Sequence, residues 1–184
     1  AALLVMPRAT GLFQRAIAQS VPGTYFTPAL AADVTRACAA ELGLEPAGLA
    51  TVNPWGLPSA ADAVTAKIAE FAGRWGRVAH AVTPFAPVVD GDVLRTTPWR
   101  GLTGQVELMV GHTRHEQRLL SLMSGVLGEV TRAQALETAR IFGPDPQAYE
   151  ERFPDPEELY EVVRSDWLFR MPSVKLAEAQ LAAG

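Results

Sequence analysis

Two histidines and a glutamate form the densest group of chemically active side chains in the sequence. His112, His115 and Glu116 lie within GHTRHEQ, directly after the apolar run VELMV. Two imidazoles and a carboxylate could ligate a metal, although the H-E-x-x-H spacing is absent because position 119 is leucine. Solvated surface histidines are a simpler interpretation. A third is a catalytic acid, because functional groups of open α/β sheets lie beyond the carboxyl ends of strands, where Glu116 is expected.

Other catalytic and cofactor motifs are absent from the sequence. It contains no G-x-S-x-G serine turn, no G-x-G-x-x-G and no G-x-x-x-x-G-K-[ST]. We therefore expect no nucleotide cofactor, no metal and no serine nucleophile within these residues. The single cysteine, Cys38, lies in an alanine-rich helical run and is interpreted as a buried structural thiol.

Composition and charge exclude several classes of partner. The 184 residues are 48% hydrophobic and 20% charged, which is typical of a globular protein. Sixteen basic residues are scattered among 20 acidic ones, with a net charge of −4 and no basic stripe, so we expect no nucleic-acid partner. No apolar run is long enough to suggest a membrane span. With no visible secretion signal and one cysteine, a cytoplasmic location is favoured.

Hydrophobic patterning predicts two strands separated by helices. The predicted segments are a strand near 13–20, helices over 29–76, an extended segment at 83–94, a strand at 106–110 and a helical region over 116–184. The continuous run Ala16, Ile17 and Ala18 favours a strand buried on both faces. Strands separated by helices pair in parallel, so the fold class is α/β, with two or three sheet strands and many helices.

Capping residues predict where several helices begin. Ser59 is expected to cap a helix over 60–75, and Thr131 to cap one over 132–142. The series Asp155-Pro156-Glu157-Glu158 places proline and acids in a first helical turn that should continue to about Phe169. Pro172 is expected to separate this helix from the last one.

Two parallel strands alone make a poor sheet, because such sheets need more strands and covering on both faces. Residues 1–184 are therefore expected to form a portion of one larger α/β domain. Unshielded sheet edges would favour self-association, so a non-catalytic binding or assembly module is an alternative function.

Four segments, in order, resemble type-B carboxylesterases, the family of para-nitrobenzyl esterases and cholinesterases. They are MPRATGLFQRAIAQS, PFAPVVDGDVL, LMVGHTRHEQRLL and SDWLFRMPSVKLAEAQ, and they cover nearly the whole chain. The resemblance implies a partial α/β-hydrolase fold, corresponding to a C-terminal-half fragment of a serine esterase. It also implies a small-molecule ester substrate for the intact enzyme.

The resemblance implies a Ser–Glu–His triad in which Glu116 is the acid that holds the imidazole. Ser20 matches a serine near the acid, whose hydroxyl could donate to the Glu116 carboxylate; a strand-end hydrogen bond to backbone is the alternative. Trp167, Phe169 and Met171 match the region that supplies an acyl pocket, although core packing would also explain Trp167.

Three positions depart from the family pattern. The glycine expected after the acid is Gln117, the Asp or Asn before it is His115, and the glycine after the strand-end serine is Val21. The serine and histidine of the triad have no match, since His112 and His115 lie beside the acid. We therefore expect the isolated chain to have no esterase activity.

Overall fold

A computed structural model describes residues 1–81 and 83–184. The chain divides into two compact units, one formed by Ala1–Gly23 with Val93–Gly184 and the other by Thr24–Asp92. The single domain expected from the sequence stays a prediction.

The elements follow the predicted order of strands and helices. The strands are β1 (Arg15–Gln19) and β2 (Glu107–Gly111). The α-helices are α1 (Pro28–Glu41), α2 (Gly56–Ala66), α3 (Ala72–Trp75), α4 (Pro98–Gly101), α5 (Arg118–Met123), α6 (Arg132–Phe142), α7 (Pro146–Arg152), α8 (Pro156–Ser165) and α9 (Met171–Ala183). Short 3₁₀ turns cover Ala2–Val5, Pro7–Ala9, Pro46–Ala50, Ile68–Phe71 and Gly76–His80, and a π turn covers Asp166–Arg170. No helix in the described ranges is long and apolar enough to cross a membrane.

β1 and β2 form a parallel two-stranded sheet in the first unit, as the pattern predicted. Ile17 pairs with Met109 and Ala18 with Val110. One face is covered, because Ala18 packs with Leu176 of α9 in a buried cluster.

The opposite face of the sheet is open, and burial of β1 on both faces was therefore a wrong prediction. Ile17 and Met109 lie side by side and are 69% and 67% exposed. In both described strands, more buried and more exposed residues alternate along the chain.

α8 begins as its sequence predicts. The side chain of Asp155 accepts the Glu158 N–H, and Pro156 occupies the first turn, where its missing N–H costs nothing. The predicted stop before the last helix is wrong, because the π turn Asp166–Arg170 carries α8 directly into α9.

Pro172 is accommodated inside this continuous helical segment. A proline has no N–H, so it leaves the carbonyl four residues earlier, that of Leu168, without its helical donor. The N–H of Gly23 supplies the donor, at 2.8 Å from the Leu168 oxygen. A Cβ at Gly23 would lie 2.5 Å from Pro172 Cγ, so only glycine brings the segment after β1 this close.

α6 and α8 form the main helical core of this unit. Ala135 and Ala139 of α6 pack against Leu159 and Val163 of α8, all of them almost fully buried. Thr131 caps α6 in a capping box with Gln134, which confirms the predicted start of that helix.

The second unit has its own core, built from α1, α2 and Trp75. Thr27 caps α1 through its side chain, and Trp75 Nε1 donates to Asp33 Oδ2 at 2.7 Å. Ser59 was wrongly predicted as a cap, because α2 begins at Gly56 and Ser59 lies inside it. Cys38 is buried in this core, and burial raises the pKa of its thiol, in agreement with a structural role.

The segment at 83–94 is extended, with a turn at Gly91, whose φ is 83°. Val88 makes one parallel bridge with Phe26, but no strand ladder forms in the described residues of this segment.

A candidate active-site acid

Glu116 lies in the loop beyond the carboxyl end of β2, where sequence reasoning expected a functional group. Its half-buried carboxylate accepts two hydrogen bonds on one oxygen, Oε1. Ser20 Oγ donates at 2.7 Å and the Thr113 N–H at 2.6 Å. Oε2 accepts no hydrogen bond from the described residues. One oxygen therefore fixes the orientation of the carboxylate, and the other is left for a further donor.

Ser20 holds its hydroxyl toward the acid in a strained backbone conformation. Its φ is 51°, and it is the only non-glycine residue with a positive φ in the described part of the chain. Left-handed conformation costs a side-chain-bearing residue roughly 1–2 kcal/mol, and such strain concentrates at functional positions. The Ser20 hydroxyl donates to the carboxylate rather than to backbone, and the backbone N–H of Ser20 donates separately to the Gly111 carbonyl at 2.8 Å.

Two buried serines, on α8 and α9, hold the backbone next to Glu116 and the backbone after Ser20. The Gln117 N–H donates to Ser165 Oγ at 3.1 Å, and the Val21 N–H donates to Ser173 Oγ at the same distance. Sequence reasoning missed both serines, because a serine within a helical pattern gives no signal of what its hydroxyl contacts. Gln117 and Val21 replace glycines of the family pattern, and both are 2% exposed, so their side chains fill the interior beside the acid.

The structure does not bring His112, His115 and Glu116 together. His112 Nδ1 lies 3.0 Å from the Thr113 carbonyl oxygen, whereas His115 Nδ1 lies 2.5 Å from Glu161 Oε1. Within residues 1–81 and 83–184, no group of three His, Cys, Asp or Glu residues is placed to hold a metal. The metal-enzyme interpretation finds no support in this geometry.

The three residues considered for an acyl pocket lie at the junction of α8 and α9. The Trp167 ring packs on Phe142, with centroids 4.3 Å apart, so it belongs to the helical core. Phe169 is half-buried, and Met171 is 44% exposed. A role in substrate binding stays a prediction for all three.

Asp166 stabilises the same junction through polar contacts. Tyr149 Oη donates to its Oδ2 at 2.7 Å, and Arg170 Nε donates to its Oδ1 at 2.6 Å. Burial, reinforced by the Asp166 carboxylate, raises the pKa of Tyr149, so the phenol stays a proton donor.

Two parallel strands with helices on one face, and a carboxylate beyond the end of one strand, match part of an α/β-hydrolase fold. The sequence model of the carboxylesterase family matches residues 1–178. The chain belongs to the carboxylesterase family, which confirms the resemblance and the fold class predicted from the sequence.

Solved structures support the same assignment. The carboxylesterase EST55 of Geobacillus stearothermophilus is 25% identical, with a TM-score of 0.75 over 100% of this chain and 38% of its own. A PNB esterase is 27% identical, with a TM-score of 0.68 over 97% of this chain and 38% of its own. A thermophilic PNB esterase is 26% identical, with a TM-score of 0.70 over 97% of this chain and 37% of its own. The chain therefore spans less than two-fifths of the length of these structures.

Proposed function

We propose that this chain is a portion of a serine carboxylic-ester hydrolase in which Glu116 is the acid of a Ser–Glu–His triad. The observation that carries the proposal is the hydrogen bonding of its carboxylate. Ser20 Oγ and the Thr113 N–H fix Oε1, and Oε2, which no described residue bonds, could accept the N–H of an imidazole. A triad acid needs this arrangement, because it must be oriented by the protein and still accept from the catalytic histidine.

The proposed reaction is acyl transfer to serine followed by hydrolysis. The serine hydroxyl attacks the ester carbonyl while the imidazole takes its proton, and the alcohol leaves with that proton. Water then attacks the acyl-enzyme by the same route. Glu116 keeps the imidazole in the required tautomer and stabilises the imidazolium. Trp167, Phe169 and Met171 are proposed to form part of the wall around the acyl group.

The nucleophile and the histidine are proposed to come from the rest of the enzyme, because no G-x-S-x-G exists in these residues. We expect the full-length protein that contains this chain to hydrolyse p-nitrophenyl acetate. The 184-residue chain alone should show the same rate as its Glu116→Ala variant. Turnover by the isolated chain that exceeds this variant would contradict the proposed division of the triad.

A second candidate function is assembly with other chains, and the open face of the sheet favours it. Ile17 and Met109 present adjacent apolar side chains there, each more than half exposed. Apolar groups exposed on a sheet favour association because covering them removes apolar surface from water.

This candidate predicts that the isolated chain elutes from size-exclusion chromatography above its monomer mass of 19.7 kDa. The double variant Ile17→Gln/Met109→Gln should elute as a monomer, whereas Leu181→Gln, an exposed site on α9, should not change the elution. A compact wild-type monomer would exclude assembly through this face.

A further inference from the structure

One face of α8 contacts the loop between β2 and α5, residues 112–117, here called the acid loop, at two points one helical turn apart. Glu161 and Ser165 occupy this face, and both are buried, at 8% and 1% exposure. Glu161 Oε1 lies 2.5 Å from His115 Nδ1, and its Oε2 lies 3.5 Å from an Arg118 guanidinium nitrogen. Ser165 Oγ accepts the Gln117 N–H. The residues that flank Glu116 on both sides are therefore held by the same helix face.

The Glu161 side chain faces one nitrogen of the His115 ring. A carboxylate accepts hydrogen bonds, so this contact fits the ring tautomer whose Nδ1–H is the hydrogen-bond donor. The imidazole is thereby fixed in orientation, as a histidine is when a carboxylate lies on one ring nitrogen. The backbone that carries His115 leads directly into Glu116, so fixing the ring also restricts the acid.

A carboxylate this buried is stable only with partners, because an unpaired charge in the interior is costly. The Glu161 side chain lines a cavity of about 320 Å³ beside α8. Besides His115 and Arg118, the residues with ionisable side chains that line this cavity are Arg114 of the acid loop, Asp155, Glu157 and Glu158 at the start of α8, and Arg170 of the π turn. Among the described residues, the polar contacts of the Glu161 carboxylate are those with His115 and Arg118.

We propose that Glu161 is a positioning residue for the catalytic acid, acting on Glu116 through His115 and Arg118. The inference rests on the proposed function of Glu116. It also accounts for one departure from the family pattern, because His115, in place of the usual Asp or Asn, is held by Glu161 through its ring.

The test is the Glu161→Gln variant of the full-length protein, with Glu158→Gln as the matched control. Glu158 lies on the same helix and lines the same cavity, but among the described residues its side chain makes no hydrogen bond or ion pair with the acid loop. We expect Glu161→Gln to lower kcat for p-nitrophenyl acetate by about tenfold with KM unchanged, because small misplacements of a catalytic group are costly. Glu161→Ala should lose more, since glutamine retains an acceptor for the His115 ring. Glu158→Gln should match the wild type.

Amide hydrogen exchange of residues 112–117 gives a readout that does not depend on activity. Exchange in this loop should become faster in Glu161→Gln and remain unchanged in Glu158→Gln. If Glu161→Gln does not fold, His115→Ala serves instead, because its side chain is 52% exposed and the same changes in kcat and exchange are expected.

Two outcomes separate this inference from the proposed function. If Glu116→Gln abolishes activity while Glu161→Gln, or its substitute His115→Ala, changes neither kcat nor loop exchange, Glu161 does not position the acid. If loop exchange increases but Glu116→Gln retains full activity, the anchoring by α8 stands and the triad assignment is wrong. A double variant His115→Ala/Glu161→Gln should lose less than the product of the single losses, because both act through one contact.

Discussion

Glu116→Gln is expected to lower kcat for p-nitrophenyl acetate by about 10³- to 10⁴-fold in the full-length protein that contains this chain. Glutamine has nearly the same shape, so binding of the ester and KM should change little. The neutral amide cannot stabilise an imidazolium, and its NH₂ group can hold the histidine in the wrong tautomer. The loss should therefore appear in kcat, measured under saturating substrate.

Two further variants define the specificity of that result. Glu107→Gln changes an exposed carboxylate on β2 whose partner is the equally exposed Arg15, and activity should be unchanged. Ser20→Gly removes the hydroxyl but tolerates the positive φ, and the Thr113 N–H remains, so a smaller loss of about tenfold is expected. Full activity of Glu116→Gln would exclude this residue as the triad acid.

Leu159→Ala is expected to lower the free energy of unfolding by about 2–5 kcal/mol, because it opens a cavity where α6 and α8 pack. Leu159 is 0% exposed and contributes to the core that supports the inner face of α8. Urea unfolding of the chain, followed by tryptophan fluorescence, measures the change, since Trp167 packs against the same cluster.

Leu181→Ala is the matched control for this stability prediction. The same atoms are removed, but Leu181 is 82% exposed on α9, so the expected change is within about 0.5 kcal/mol. Equal losses for the two variants would mean that the packing of α6 on α8 does not limit the stability of this unit.

Local sequence signals predicted the parts of the fold that local chemistry decides. Thr131 and Asp155 cap their helices because their side chains accept backbone N–H groups three residues later. The position of Glu116 beyond the carboxyl end of β2 could also be predicted, since Glu116 follows this strand closely in the sequence.

Features that depend on contacts distant in sequence could not be predicted. Pro172 indicates a helix end by itself, and only the Gly23 N–H, about 150 residues earlier, satisfies the carbonyl that proline leaves free. The pairing of His115 with Glu161 joins residues separated by 46 positions. A histidine beside a glutamate in sequence suggested a shared site, whereas the fold directs the two side chains to different partners.

The π turn at Asp166–Arg170 sets the angular phase of the helix that follows it. In an uninterrupted α-helix, Ser165 and Ser173 would lie about 80° apart around the axis, because eight residues exceed two turns. A π turn adds one residue without advancing the helix, which reduces this angle to about 20°. The two serines therefore share one side of the segment, where they hold Gln117 and Val21. If the same residues formed a regular α-helix instead of this turn, Ser173 would be rotated by about 100° relative to Ser165, and the Val21 N–H would lose its hydrogen bond to Ser173.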